Sequence, residues 1–248
     1  MELFFQTQVT AVLIAFARIG TALMFLPGLG EMRIPARHRL ALGVILSLGL
    51  IPAIPVTPPD QTAQLALLLA REGLIGLYIG VGARILFSAL QALGAFIANV
   101  TSLSSALAAG DTGYEGSTAI TSLLTMAGIA LLFATDAHHL MLRGLFHSYE
   151  LIPPGWLPLG DLAGQVARLV ARSFYIAALM GAPFFLLAVL LNLGLGLANR
   201  VMPSMPVFFV AGPVNIALGL GLLMLIAPAI LVWFSDDFGS FFLELRRE

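Results

Sequence analysis

The feature that most constrains this sequence is a proline-free segment of unusual length. Between Asp60 and Gly110 no proline occurs, and the apolar residues keep a helical spacing throughout. At ~1.5 Å per residue, an unbroken helix of this length far exceeds a bilayer core of ~30 Å. Arg71, Glu72 and Arg84 also interrupt the apolar pattern. The segment therefore predicts either two helices that meet near Arg71 or one long helix that leaves the membrane plane.

Composition indicates that this segment belongs to a membrane protein. Of the 248 residues, 59% are hydrophobic and only 10% are charged, whereas soluble domains have about 25% charged residues. The net charge of −1 gives no electrostatic reason to expect nucleic acid as a partner. The chain has no cysteine and no lysine, which excludes thiolate catalysis, a P-loop and a pyridoxal Schiff base.

The positions of proline and glycine predict an all-α, polytopic membrane fold with about six hydrophobic helices. The expected helices cover residues 9–26, 40–50, 60–110, 122–149, 174–197 and 207–234. An amphipathic stretch at 159–173 is expected to form a separate helix at the membrane interface. Because Pro183, Pro213 and Pro228 lie inside the last two helices, those helices are expected to be bent or broken.

One face of the long segment carries small and polar residues. They recur every three or four positions, namely Gly73, Gly76, Gly80, Arg84, Ser88, Gln91, Ala95, Ala98, Ser102 and Ser105. Small residues let helix backbones approach closely, and lipid tails have no hydrogen-bond partners for a polar stripe. This face therefore predicts helix packing, either inside one chain or against a partner.

A glycine-rich segment, AAGDTGYEGSTAITS, follows at residues 108–122. Gly110, Gly113 and Gly116 recur at every third position, with two acids and an aromatic residue between them. Such glycines are typical of a loop. If the polar face before it is buried, this loop can line or close a pathway.

A polar motif, ATDAHHLMLRG at residues 134–144, ends an apolar run. Adjacent side chains on a helix point ~100° apart, so His138 and His139 are not expected to share a metal ion. His139 can pair with Asp136 at i, i+3, but a metal ion needs further ligands. The sequence also contains no GxSxG nucleophile motif and no convincing pair of opposed aspartates. We therefore predict no metal, no cofactor and no catalytic residue, and the chain is not expected to be an enzyme.

Two interpretations of the ionisable residues remain open. Arg18, Glu72, Arg84, Asp136 and His139 could form a relay in a proton-coupled secondary membrane transporter, because intramembrane ionisable residues are usually functional. Against this stands the absence of a visible internal repeat, which many such transporters have.

The other interpretation is a polar seam. Asp136, His139, Arg143, His147 and Glu150 follow one another at intervals of 3, 4, 4 and 3 residues, so they share one helical face. Neighbours at this spacing can pair. A charged stripe of this length favours a surface that faces water or protein rather than lipid.

Four blocks of the sequence resemble the FliR family, the export-gate component of bacterial flagellar and type III secretion systems, which is called SctT in injectisomes. The blocks are FARIGTALMFLPGLGEMRIPARHRLAL, EGLIGLYIGVGARILFSALQALGAFIA, LLFATDAHHLMLRGL and MPVFFVAGPVNIALGL. They cover nearly the whole chain in the family's order. The ATD-x-HH block is the most specific, together with Arg18-Ile19-Gly20 and Pro35-x-Arg37-x-Arg39.

The resemblance implies a subunit in the bacterial inner membrane, in the flagellar basal body. It would assemble with FliP and FliQ homologues into a pore, next to FlhB and FlhA homologues, and the pore would pass unfolded export substrates. Residues 1–170 would be a FliP-like part with a plug loop at 106–120, and residues 171–248 a FliQ-like helical hairpin and tail.

The resemblance also implies roles for individual residues. The plug that closes the pore would contain Gly110, Asp111, Thr112, Gly113, Tyr114, Glu115 and Gly116. The polar seam against partners or the channel would contain Asp136, His138, His139 and Arg143. Buried polar contacts in assembly would involve Arg18, Arg37, Glu72, Arg84 and Gln91.

Overall fold

The computed structural model describes residues 2–31, 34–50, 61–103, 116–156, 159–201 and 207–244. Within them, the elements in chain order are α1 (Glu2–Phe25), α2 (Ala36–Leu50), α3 (Thr62–Val100), α4 (Gly116–Ala134), α5 (Ala137–Leu151), α6 (Leu159–Val201) and α7 (Val207–Glu244). Every element in the described ranges is a helix, which confirms the predicted all-α class.

Within the described ranges, four helices contain segments long and apolar enough to cross a bilayer. These segments are Thr7–Phe25, Thr62–Val100, Leu162–Val201 and Ala211–Leu243. The pair α4 and α5 counts as a fifth candidate if the two bent helices form one span. Since ~20 apolar residues are enough to span ~30 Å, the predicted polytopic membrane fold is confirmed.

The long segment after Asp60 forms one continuous helix, which decides between the two alternatives that the sequence left open. Helix α3 has 39 residues and passes Arg71 without a break, so it is about 58 Å long. It ends earlier than predicted, at Val100 instead of Gly110. Ser102 has a φ of 59°, a left-handed conformation that stops a right-handed helix.

The predicted single helix over 122–149 is wrong, because the structure has two helices there. Helix α4 ends at Ala134, α5 begins at Ala137, and the two are bent by 75°. Asp136 lies between them with φ 57° and ψ 17°, in the left-handed region. Aspartate tolerates this conformation better than most residues. Neither proline nor glycine marks the break, so the sequence pattern did not predict it.

The last two helices are unbroken, so the breaks expected at their prolines are absent. Residues 159–173 do not form a separate interfacial helix, because they are the first part of α6. Helix α6 continues through Pro183, and α7 continues through Pro213 and Pro228. Each proline removes one backbone hydrogen bond. In apolar surroundings the other backbone groups still need their helical partners, which favours continuation of the helix.

The chain divides into two compact units. The first contains Met1–Leu86, Leu132–Val170 and Asp237–Glu248, and the second contains Phe87–Leu131 and Ala171–Asp236. Helix α3 contributes its first part to one unit and its second part to the other. The proposed boundary between a FliP-like part and a FliQ-like hairpin stays a prediction.

In the first unit, small residues of α3 let the backbone of α1 approach closely. A Cβ atom on Gly80 would lie 2.7 Å from the carbonyl oxygen of Ala22, and one on Gly76 would overlap the carbonyl oxygen of Arg18. The first part of the predicted packing face therefore serves contacts within the chain.

In the second unit, glycines allow a similar approach between α3 and α4. A Cβ atom on Gly94 would lie 2.6 Å from the Cα of Thr121. On the opposite helix, Gly128 faces the side chains of Leu90 and Phe87. The helix pair thus packs through one glycine on each side.

Candidate functional site

A buried ion pair joins α1 and α3 in the first unit. The Nε of Arg18 donates a hydrogen bond to Oε2 of Glu72 at 2.7 Å, and both side chains are 0% exposed. Desolvating two charges costs several kcal/mol per ion, so a buried pair needs good geometry and further hydrogen bonds. The surrounding groups supply them.

The remaining donors of Arg18 bind the end of α5. Its Nη1 donates to the carbonyl oxygen of Ser148 at 2.9 Å and to the Oγ of Ser148 at 3.1 Å. Its Nη2 donates to the carbonyl oxygen of Ile152 at 2.9 Å. These carbonyls belong to a helix C-terminus, where a cation is favoured. The backbone N–H of Gly155 donates to Oε1 of Glu72 at 3.2 Å, which satisfies the second carboxylate oxygen.

Tyr149 completes this cluster. Its ring lies 3.9 Å from the Cζ of Arg18, in the geometry of a cation–π contact. Its hydroxyl donates to the carbonyl oxygen of Ala15 at 3.3 Å. The contacts of Arg18, Glu72 and Tyr149 together fix α1, α3 and α5 against one another. We call these three residues with Ser148 and Gly155 the Arg18 cluster.

The other predicted assembly residues lie elsewhere. The side chains of Arg37, Arg84 and Gln91 are exposed in the isolated chain. Gln91 contributes a backbone carbonyl, which accepts a hydrogen bond from the hydroxyl of Thr121 at 3.4 Å. Their role in assembly stays a prediction, whereas Arg18 and Glu72 have partners inside the chain.

The predicted proton relay is not continuous in the structure. In the described ranges, direct contacts join Arg18 to Glu72 and Asp136 to His139. Arg84 is exposed and makes no hydrogen bond or ion pair with the other four residues in these ranges. Direct hydrogen bonds therefore do not link the five groups into one pathway.

Two histidine–carboxylate contacts at i, i+3 spacing lie along the polar face of α5 and the residue before it. The Nδ1 of His147 lies 2.9 Å from Oε2 of Glu150, and the Nδ1 of His139 lies 3.6 Å from Oδ1 of Asp136. All four side chains are at least 38% exposed. Because exposed pairs contribute little to stability, this face is more informative as a contact surface than as a stabilising element.

A cleft of about 350 Å³ adjoins this face. Its polar lining comes from Arg143, His147 and Glu150 of α5, and its apolar lining includes Leu50 of α2 and Phe242 of α7. The cleft therefore offers charges of both signs beside an aromatic surface.

The junction between α4 and α5 brings Asp136 and His139, which helical spacing allowed to pair, together with His138, which was not expected to share a ligand with His139. Asp136, His138 and His139 each place one potential ligand atom within 4.8 Å of the other two. The ring centroids of the two histidines are 4.1 Å apart. His138 and His139 both lie in the first turn of α5, and their rings lie side by side although adjacent positions on a helix point ~100° apart. Asp136, in its left-handed conformation, directly precedes this turn.

The predicted plug falls mostly on residues that the structure leaves undescribed. Residues 110–115 lie outside the described ranges, and Gly116 is the first residue of α4. Pore closure by Gly110–Gly116 stays a prediction.

The helical architecture and the candidate spans define the class of this chain, a polytopic all-α membrane protein held together by buried polar contacts between helices. Residues 9–241 match the family described as Bacterial export proteins, family 1. The chain belongs to this family, whose members are membrane components of export apparatus. The resemblance that the four sequence blocks predicted is confirmed.

Similar proteins come from flagellar and injectisome systems. The chain is 35% identical over 238 residues to the flagellar biosynthetic protein FliR of Caulobacter vibrioides, with 94% of each chain covered. It is 30% identical over 228 residues to FliR of Bacillus subtilis, with 90% of this chain and 88% of the relative covered. It is 32% identical over 196 residues to the Yop proteins translocation protein T of Yersinia pestis, with 74% and 73% covered.

Proposed function

We propose that this chain is a subunit of the flagellar or type III protein export gate in the bacterial inner membrane. It assembles with FliP and FliQ homologues, close to FlhB and FlhA homologues, into a pore for unfolded export substrates. The observation that carries this proposal is the family match, which extends from residue 9 to residue 241. Named relatives in both flagellar biosynthesis and Yop translocation support it.

The burial of the helices supports assembly with other subunits. The most apolar windows of α1 and α3 are 50% and 56% buried within the chain, whereas those of α6 and α7 are only 22% and 17% buried. Apolar helices that are exposed on most sides require lipid or protein as cover. Residues 171–248, the FliQ-like hairpin of the proposal, contain α7 and most of α6, so this part of the chain is the first candidate for subunit contacts.

Co-expression with FliP and FliQ homologues tests assembly. The chain is expected to leave a gel-filtration column in one large complex with both partners. Recovery of this chain as an independent monomer or dimer, with all three proteins well expressed, would contradict the proposal.

A second experiment substitutes Leu225 of α7, which is 78% exposed in the isolated chain. Leu225→Trp distinguishes a protein interface from a lipid-facing surface. Lipid accommodates a larger apolar side chain, whereas a packed interface is destabilised by about 1–3 kcal/mol when it is overpacked. We expect less complex with Leu225→Trp and normal complex with the matched variant Leu225→Met. Equal complex yields from both variants would assign Leu225 to lipid.

The proposed plug is tested by crosslinking. The chain has no cysteine, so Gly113→Cys introduces a unique thiol. With a stalled export substrate that carries one thiol-reactive group, adducts are expected from Gly113→Cys. The control is Gly196→Cys in α6, whose Cβ would contact nothing within 4 Å. Adducts at Gly196→Cys alone, or at neither position, would contradict the plug assignment.

A further inference from the structure

The junction between α4 and α5 concentrates metal-ligating groups that the export proposal does not use. One ligand atom from each of Asp136, His138 and His139 lies within 4.8 Å of the other two. Asp136, whose backbone is left-handed, lies at the 75° bend and directly precedes the helical turn that carries both histidines. The backbone N–H of His139 donates to the carbonyl oxygen of Asp136 at 3.0 Å, which fixes the first turn of α5 beside the carboxylate.

Contacts inside the chain leave these groups available for a ligand. An aspartate at this position of a helix normally accepts a hydrogen bond from the second or third backbone N–H, but Asp136 makes no side-chain cap bond in the described structure. Its Oδ1 lies 3.6 Å from the Nδ1 of His139, which is too long for a hydrogen bond.

His138 provides the second observation. Its Nδ1 atom is buried and has no hydrogen-bond partner among the described residues. A buried polar atom without a partner costs about 1–3 kcal/mol. A simple pair between Asp136 and His139 leaves Nδ1 of His138 without a partner, whereas coordination of an ion through this Nδ1 would supply one.

We propose that Asp136, His138 and His139 bind a divalent transition-metal ion of the Zn²⁺ class. Two imidazole nitrogens and one carboxylate oxygen are a donor set that Zn²⁺ accepts, and three protein ligands leave the remaining position to water. Bond lengths of about 2.0–2.2 Å require the three atoms to move closer together. The side chains of Asp136 and His139 are 78% and 61% exposed, so they can rotate towards a common ion.

The ion has a structural consequence at the bend. His138 packs on Phe133 at the end of α4, with ring centroids 5.1 Å apart. Asp136 is itself the residue that breaks the helix. An ion held by Asp136 and the first turn of α5 therefore fixes the break at the point where the two helices change direction. This inference rests on the geometry of the junction and does not depend on the export function.

A direct titration tests the site. The full-length chain, purified in detergent with a tag that contains no histidine, is stripped with a chelator and titrated with Zn²⁺ by calorimetry and with Co²⁺ by visible absorption. The expected result is saturable binding of one ion per chain, with the absorption of a Co²⁺ ion coordinated by nitrogen and oxygen. Absence of saturable binding, in protein that elutes as a single folded species, would overturn the proposal.

The four histidines of the chain provide matched variants. His138→Gln, His139→Gln and Asp136→Asn each remove one proposed ligand and keep the side chain polar, and each is expected to weaken Zn²⁺ binding about tenfold or more. His38→Gln combined with His147→Gln removes the two histidines outside the proposed metal site and is expected to leave Zn²⁺ binding unchanged. Loss of binding in this control with retention in the three ligand variants would also overturn the proposal. Helical circular dichroism of each variant verifies that its fold is intact.

Discussion

The Nε of Arg18 lies 2.7 Å from Oε2 of Glu72, and neither side chain reaches solvent. The two residues are 54 positions apart in the sequence, and the same guanidinium also binds Ser148, 130 positions away. Three helices therefore depend on one buried cation. Removing either charge leaves the other buried without its counter-ion.

The first prediction concerns this pair. Glu72→Gln leaves Arg18 buried without its counter-ion, and we expect a loss of about 3–5 kcal/mol in the free energy of unfolding. Denaturant unfolding of the detergent-solubilised chain measures it. The control is Arg84→Gln on the same helix, where the exposed side chain should change stability by at most about 0.5 kcal/mol. A similar loss from both variants would show that the buried pair contributes no more to stability than an exposed charge does.

A second prediction separates the ring of Tyr149 from its hydroxyl. Tyr149→Phe keeps the aromatic face over Arg18 and removes the bond to Ala15, so a loss of about 0.5–1.5 kcal/mol is expected. Tyr149→Leu also removes the cation–π contact, which adds up to about 2 kcal/mol at a desolvated site. The free energy of unfolding should therefore be lower for Tyr149→Leu than for Tyr149→Phe. Equal losses from the two variants would mean that the aromatic ring adds no stabilisation of Arg18 and that the effect of both comes from the lost hydroxyl bond to Ala15.

A third prediction tests the close approach of α1 and α3. In Gly76→Ala the new Cβ meets the carbonyl oxygen of Arg18, which is backbone and cannot rotate away. The helices must separate, and the overpacking penalty is about 1–3 kcal/mol or more. Gly221→Ala in α7 is the matched control, because its Cβ meets nothing within 4 Å. In the isolated chain the control should gain about 0.5–1 kcal/mol from helix propensity. Equal effects at both glycines would refute the close packing.

A fourth prediction compares two neighbours in α7. Phe242 is 2% exposed and lies against Gly144 of α5, whereas Leu243 is 44% exposed. Phe242→Ala creates a cavity and should lower the free energy of unfolding by about 3–5 kcal/mol. Leu243→Ala should cost less, because it is a smaller side chain and a smaller share of its area is buried. Thermal unfolding of the two variants, recorded under the same detergent conditions, provides the comparison.

Much of the fold could be predicted because it follows from local patterns. The apolar runs locate the helices, and the glycines of the packing face mark where α3 meets another backbone. The sequence shows that Glu72 places a charge in an apolar helix at a cost in free energy, but it does not show that the partner of Glu72 is Arg18. That pairing depends on how distant segments pack, which no spacing between neighbours reveals.

Sequence patterns were wrong in two opposite ways. They did not predict the helix break at Asp136, and they predicted breaks at prolines where the helices continue. A single left-handed residue breaks the helix where no proline or glycine stands, because aspartate can adopt that conformation when tertiary contacts require it. Pro213 and Pro228 are strong breakers in water, yet α7 continues through both. The close approach of Asp136, His138 and His139 was not predicted, because side-chain conformations in the first turn of α5 do not follow from helical spacing alone.

The last prediction therefore concerns the backbone of Asp136, measured with a chelator present so that metal binding does not contribute. With φ at 57°, Asp136 occupies a conformation that costs most L-residues about 1–2 kcal/mol. Asp136→Gly should raise the free energy of unfolding, Asp136→Asn should leave it nearly unchanged, and Asp136→Val should lower it. Ala137→Gly, one position later and inside α5, should instead lower it by up to about 1 kcal/mol. Stabilisation by glycine at 136 and destabilisation at 137 would together locate the break at one residue. Destabilisation at both positions would mean that Asp136 is helical in solution.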